Sequence, residues 1–122
     1  YKISSSCINK NDPNGKLVEF PLLVTKFFGK TIPASGGFYL RFLPLNVIKN
    51  AIEDYEKKSI PATFYIHSWE LTPEFMPKIS MSFKDKFITY HNVEKTFSKM
   101  ENLLKKFQFT SFNRFMGNMK LN

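Results

Sequence analysis

The chain is 122 residues long, which is the size of one compact domain and too short for two ordinary domains. Hydrophobic residues make up 43% of it and aromatic residues 16%, so a core can form and global disorder is excluded. The net charge is +8, but all except two of the 18 basic residues are lysines, and they are spread evenly over both halves. Because base reading and phosphate clamping depend on arginine, a solvated lysine surface explains this charge better than a nucleic-acid partner.

The N-terminal residues and the cysteine content leave the cellular compartment open. Tyr1 is followed by a polar run at 4–6 where a secretory signal would be apolar, so we interpret the chain as a processed product or a fragment. No stretch approaches the ~18–20 apolar residues of a transmembrane helix, so no membrane span is expected. The single cysteine, Cys7, has no partner for an internal disulfide and no neighbouring base that would activate it as a nucleophile.

The first part of the chain predicts one reversal, one strand and one glycine loop. The turn-forming residues 11–15 predict the reversal. The apolar run that follows predicts a strand over 18–23, and Pro21, which lacks an N–H, restricts it to a sheet edge or a strand end. In the next loop, the adjacent Gly36 and Gly37 permit a positive φ or the close approach of a ligand.

Two periodic segments predict helices. Apolar residues that recur at spacings of three and four predict an amphipathic helix over 45–58. A similar apolar face predicts a second helix over 93–106. Between the two, residues 62–67 form an uncharged run of β-branched and aromatic residues, which predicts a strand buried on both faces.

The remaining segments complete the predicted order of elements. Residues 68–91 form a long connection with one helical turn expected at 83–87, and connections of this length are uncommon without a functional role. A final strand is expected over 108–112. Strands that alternate with helices in this way are typical of an α/β fold, in which helices cross over between the strands of a parallel sheet.

Candidate catalytic residues are few. The sequence contains no glycine-rich phosphate loop and no CxxC, HExxH or GxSxG motif. His67 ends the predicted strand, at the end where catalytic groups gather in parallel α/β folds, and Trp69 and Glu70 follow it. The alternative is a structural histidine, because a site needs several convergent groups. A metal held by His67, Glu70 and His91 is disfavoured, since no regular spacing joins the two histidines.

Several sequence blocks, 18–22, 34–44, 64–70, 90–96 and 103–109, together carry a family resemblance. In this order they resemble the polysaccharide deacetylases associated with exopolysaccharide loci. The match covers most of the chain. The segments 90–96 and 103–109 resemble the end of that family, where a C-terminal extension of unassigned function follows a NodB-like deacetylase barrel.

The resemblance implies an α/β fold that is the C-terminal fragment of a deacetylase barrel, a partial (β/α) barrel-like parallel sheet with two main crossover helices. Within one unit, residues 1–67 would form the end of the barrel and residues 68–122 the extension. The family hydrolyses N-acetyl groups of amino-sugar polymers. It uses a divalent, zinc-like metal bound by Asp and two His, an adjacent Asp as general base and a late His as general acid. His67 matches that late histidine, whereas Tyr65 and Ser68 stand where the family has Leu and Pro.

The metal-binding and general-base motifs of the family do not occur in this sequence. No cofactor is therefore expected within this chain, and the chain alone is expected to be inactive. Beside His67 as the general-acid candidate, the candidate substrate-binding residues are Tyr65, Trp69, Gly36, Gly37, Arg41 and Glu70.

The expected partner is a polysaccharide, with self-association through unpaired strand edges as a further expectation. Two other function classes stay open. One is a noncatalytic glycan-binding or structural module that uses Trp69, Tyr39 and Tyr65 as stacking platforms, although Trp69 is also interpreted as packing beneath the long connection. The other is a basic nucleic-acid-binding domain.

Overall fold

The computed structural model describes residues 2–3 and 11–118, so Cys7 lies outside the described residues. The strands are β1 (Lys2–Ile3), β2 (Leu17–Val18), β3 (Val24–Phe27) and β4 (Lys30–Pro33). The helices are α1 (Gly37–Phe42), α2 (Leu45–Lys57), α3 (Phe83–Tyr90), α4 (Thr96–Lys106) and α5 (Phe112–Asn118). Short 3₁₀ turns cover Ser68–Glu70, Pro73–Phe75 and Val93–Lys95. No helix in this part of the chain is long and apolar enough to cross a membrane.

Two antiparallel ribbons contain the strands of the described residues. β1 pairs with β2, and Ile3 lies opposite Leu17. β3 pairs with β4 through a two-residue turn in which Phe28 and Gly29 have φ of 48° and 75°. Left-handed turns of this length match the twist of a two-stranded ribbon. The turn directs β4 back along β3 and towards the loop that precedes α1.

A parallel bridge joins the segment after β2 to residues 62–67. Leu22 bridges Thr63, and the N–H of Leu23 donates to the Thr63 carbonyl at 3.3 Å. The predicted strand over 18–23 therefore consists of the end of β2 and this bridge. The predicted strand over 62–67 is extended chain with one bridge.

The prediction that residues 62–67 are buried on both faces is wrong. Thr63 is buried, but Tyr65 is 52% exposed and His67 is exposed as well. Side chains at alternate positions of an extended segment share a face. Tyr65 and His67 therefore point to the same open side, which the sequence could not reveal because both residue types also occur in buried strands.

The helix predictions are confirmed with small shifts at their ends. The helix predicted over 45–58 is α2, and the helix predicted over 93–106 is a 3₁₀ turn followed by α4. The helical turn expected at 83–87 is present and longer, as α3. The apolar spacing was informative because the buried residues of α2 lie on one of its faces.

The strand predicted over 108–112 is wrong. The chain has no regular structure from residue 108 to 111, and α5 begins at Phe112. The Ser111 hydroxyl accepts a hydrogen bond from the Arg114 N–H at 3.3 Å, which favours a helix start. Phe112 and Phe115 both pack on Phe20, with ring centroids 4.8 and 5.7 Å apart. The aromatic residues that suggested a strand therefore lie in part on a helix, where they pack against Phe20.

The core lies between the β3–β4 ribbon and helices α1, α2 and α4. Its buried side chains are Leu23, Ala34, Leu40, Leu43, Ile48, Ala51, Ile52, Leu103 and Phe107. In the described part of the chain the ribbons are antiparallel, and the Leu22–Thr63 bridge is the parallel pairing. The larger barrel and the division near residue 67 stay predictions, since a barrel needs strands besides these.

Large apolar side chains remain at the surface and generate a prediction. Phe28, Phe75 and Phe83 are 90%, 81% and 87% exposed. Because exposed apolar groups favour association, we expect the 122-residue chain to self-associate at micromolar concentration in sedimentation velocity experiments. Replacing these three residues by Ser should weaken association and leave the circular dichroism spectrum unchanged. A monodisperse monomer before any substitution would contradict the expectation.

Candidate functional site

The seven predicted site residues line one cleft of about 360 Å³. They come from two stretches of the chain, the loop and helix at 36–41 and the segment at 65–70. The residues are Gly36, Gly37, Arg41, Tyr65, His67, Trp69 and Glu70. Ile88 and Thr89 of α3 complete one wall, and no sequence feature had indicated them. The structure thus brings the candidate residues together, while their roles stay predictions.

A buried ion pair forms the base of the cleft. Nη2 of Arg41, on α1, lies 3.0 Å from Oε1 of Glu70, and the two side chains are 2% and 1% exposed. Removing charges from water is costly unless the remaining donors and acceptors are also satisfied. The surroundings of this pair meet that condition.

The guanidinium of Arg41 uses all five of its N–H donors within the protein. Besides the bond to Glu70, Nε donates to the Gly37 carbonyl at 3.1 Å. Nη1 donates to the carbonyls of Thr89 and His91, both at 3.0 Å, and Nη2 donates to the Ile88 carbonyl at 3.1 Å. Arg41 therefore joins α1 to the C-terminal end of α3. A planar fork of donors suits this task, and a lysine has too few donors for it.

The other oxygen of Glu70 holds the backbone of His67. Oε2 accepts a hydrogen bond from the His67 N–H at 3.0 Å, which fixes the start of the 3₁₀ turn. The same carboxylate lies against Gly37, where an added Cβ would overlap it. Gly36, with φ of 97°, has a conformation that favours glycine. Both glycines are thus explained by backbone geometry and by the position of Glu70.

The His67 ring lies among aromatic groups at the mouth of the cleft. The Tyr65 hydroxyl is 3.0 Å from Nε2 and 3.3 Å from Nδ1 of that ring. The Trp69 indole stacks on it, with centroids 5.4 Å apart and planes 14° apart. The Arg41 guanidinium lies 5.9 Å from the Trp69 centroid, within the range of a cation–π contact. Glu70 bonds the backbone N–H of His67, so in the described residues it is a phenol, not this carboxylate, that lies beside the ring nitrogens.

A second cation, Lys99 of α4, reaches the other end of α1. Its Nζ donates to the carbonyls of Leu40, Arg41 and Leu43 at 2.9, 2.9 and 2.8 Å. These are carbonyls at the C-terminal end of α1, where a positive charge is favourable. Burial lowers the pKa of the Lys99 ammonium, and the charge of Lys95 lowers this pKa further.

Sequence reasoning did not single out Lys99, although a signal was available. Lys99 falls between Thr96 and Leu103 on α4, and both of these residues are buried. A lysine at that spacing lies close to the buried face of the helix, which predicts that its charge meets a specific partner.

The described residues offer no candidate metal centre. Across residues 2–3 and 11–118, no three His, Cys, Asp or Glu side chains lie together in a way that could hold a metal ion. The metal that the deacetylase resemblance implies is therefore not fitted by these residues.

Comparison with known proteins identifies the family of the chain. A family model described as "Domain of unknown function (DUF3473)" matches residues 2–117. The chain belongs to this family. No curated protein and no solved structure matches the sequence significantly.

The donor pattern of Arg41 generates a stability prediction. We expect Arg41→Lys to lower the free energy of unfolding by about 2–4 kcal/mol, because the ammonium cannot satisfy all the carbonyls and the carboxylate. The matched control is Arg114→Lys on the exposed surface, which should change it by less than about 0.5 kcal/mol. Urea unfolding measures both, and equal midpoints for the two variants would refute the argument.

The contact between Gly37 and Glu70 generates a second stability prediction. Gly37→Ala should destabilise the chain by about 1–3 kcal/mol, because the new methyl group displaces the Glu70 carboxylate. Gly117→Ala in α5 is the control, since its Cβ would meet nothing within 4 Å. In urea titrations the control should keep or gain stability, by up to about 1 kcal/mol. A Gly37→Ala variant as stable as the control would show that the carboxylate is free to move.

Proposed function

We propose that this chain is the C-terminal part of a polysaccharide deacetylase and that His67 is the general acid of its active site. One observation carries the proposal. Residues from two separate blocks of the deacetylase resemblance, 34–44 and 64–70, meet in one cleft through the Arg41–Glu70 pair, with His67 at the mouth. A surface histidine without a function would not need its backbone to be fixed by a buried ion pair.

The reaction that we propose is hydrolysis of an N-acetyl group. Water gives up one proton to the general base of the resembled family and adds its oxygen to the acetyl carbon, while the π pair of the C=O bond moves to the carbonyl oxygen. The resulting tetrahedral intermediate then re-forms the C=O bond and breaks its C–N bond. The electron pair of that bond goes to the nitrogen, which takes a proton from the imidazolium of His67. The products are acetate and the free amine of the sugar. Proton donation by a well-placed side chain contributes about 10²–10⁴-fold to such a step.

His67 has the exposure that this role requires. Its ring is accessible, whereas its backbone N–H is fixed by the buried Glu70 carboxylate. An acid must reach the leaving nitrogen and yet stay in place, since a displacement of about 1 Å can reduce the rate about 10²-fold. The fixed backbone and the accessible ring satisfy both demands.

The aromatic groups of the cleft fit a sugar ring. Trp69 is half-buried and Tyr65 half-exposed, so each presents part of its ring to the cleft. Aromatic faces pack against the C–H faces of sugars while polar groups at the rim bond the hydroxyls. We assign these two residues to substrate binding, whereas Gly36 and Gly37 line the cleft with backbone, and the Glu70 carboxylate occupies the space beside Gly37.

The described residues do not include groups that could activate the attacking water. In the resembled family a divalent metal supplies activated water when it is bound, but the described residues do not fit a metal. The proposal for this chain is therefore confined to proton donation and to substrate contacts. The activating groups would come from the preceding part of the same barrel.

The alternative of a noncatalytic glycan-binding module is favoured by the exposed aromatic rings of the cleft. It predicts that Trp69→Ala abolishes glycan binding while His67→Ala has little effect on it. The nucleic-acid alternative is weakened by the geometry, because Arg41 is buried and committed to protein groups. The exposed arginine that remains is Arg114.

The test is a substitution in a protein that carries this chain together with the metal-binding and general-base motifs of the family. His67→Ala should lower kcat for acetate release from an N-acetylated oligosaccharide by about 10²-fold or more, with KM and the unfolding midpoint nearly unchanged. His91→Ala is the matched control, because the His91 ring contacts Asn92 and Phe87 and is no part of the proposed site. Full activity of the His67 variant, or its failure to fold, would refute the proposal.

A further inference from the structure

The hydrogen-bond partner of the His67 ring in the described structure is a phenol. The Tyr65 hydroxyl lies 3.0 Å from Nε2 and 3.3 Å from Nδ1, and the two rings meet edge to face at 74° with centroids 4.8 Å apart. Residues two apart on an extended segment point to the same side and stand about 6.6 Å apart along the chain. A tyrosine side chain is long enough to reach across that distance to the imidazole.

The acidic residue of the cleft is already committed elsewhere. Oε1 of Glu70 pairs with Arg41, and Oε2 accepts from the backbone N–H of His67. Glu70 therefore fixes where the backbone of His67 lies but not how its ring is turned. Stacking on Trp69 fixes the plane of the ring, but two orientations related by a 180° turn about the Cβ–Cγ bond share that plane. A directional bond is needed to choose one of them.

We propose that Tyr65 is the positioning residue of His67. The inference rests on the proposed function, in which His67 donates a proton. The ring nitrogen that faces the substrate gives up its proton and the other nitrogen keeps its N–H, so the Tyr65 hydroxyl accepts from that remaining N–H both before and after the transfer. Tyr65 keeps the ring oriented in both charge states.

This role differs from the substrate-stacking role that the sequence assigned to Tyr65. Stacking uses the face of the phenol ring and does not need the hydroxyl. Positioning uses the hydroxyl and acts through His67. Tyr65→Phe keeps the face and removes the hydroxyl, so this single substitution separates the two roles.

The first experiment measures the ring of His67 itself. In ¹⁵N NMR spectra of the 122-residue chain at neutral pH, Tyr65→Phe should move the Nδ1 and Nε2 shifts of His67 towards those of a free histidine side chain. The control is Tyr55→Phe, which removes a different hydroxyl that accepts from the Val24 N–H at 3.3 Å. Its His67 shifts should equal those of the unsubstituted chain. Unchanged shifts in the Tyr65 variant would overturn the proposal.

The second experiment measures catalysis in the longer protein used to test His67. Tyr65→Phe should lower kcat by about 3–10-fold and leave KM unchanged, because an acid in the wrong orientation acts in the transition state and not in substrate binding. A raised KM with unchanged kcat would show that the Tyr65 hydroxyl bonds the substrate and does not position His67, and it would overturn the inference.

The two proposals fail in distinguishable ways. If His67→Ala keeps full activity, the proposed function is wrong whatever Tyr65→Phe does. If His67→Ala loses activity but Tyr65→Phe keeps the full kcat, His67 is the acid and Tyr65 does not position it.

Discussion

The ion pair of Arg41 and Glu70 is the interaction on which the cleft depends. It joins α1 to the 3₁₀ turn after residue 67, and the remaining donors of Arg41 hold the end of α3. Buried pairs in proteins often contribute little net stability, because desolvation offsets much of the attraction. Breaking one partner is nevertheless costly, about 3–5 kcal/mol, since a buried charge is left alone. The pair therefore fixes the position of three segments more than it adds to overall stability.

The cleft has a buried base and an accessible mouth. At the base, a buried carboxylate holds the His67 backbone and excludes any side chain at Gly37. At the mouth, the ring of His67 is left to Tyr65 and Trp69, which are partly exposed. This arrangement holds the backbone of His67 while its ring meets solvent, as the proposed role of His67 requires.

Two cationic side chains, those of Arg41 and Lys99, donate hydrogen bonds to backbone carbonyls of α1. Arg41 and Lys99 both turn inwards and bond backbone carbonyls around this six-residue helix. Neither is available to a polyanion, so the net charge of +8 overstates the basic surface. α3 buries no side chain, and Arg41 bonds the carbonyls at its C-terminal end. The bonds from Arg41 to these carbonyls thus help to hold the wall of the cleft that α3 forms.

The sequence by itself determined the elements and residues whose signals are local. The apolar spacing of α2 and α4 predicted both helices, and closeness in sequence predicted that His67, Trp69 and Glu70 would share a site. Tertiary structure decided the rest. Residues 62–67 form a single bridge and no regular strand, and the aromatic run from Phe112 forms a helix. Arg41 is buried against Glu70. The physical reason is that the periodicity of a helix can be recognised from residues close in sequence. Strand pairing, burial and the partner of a charge depend on segments that are distant in the chain.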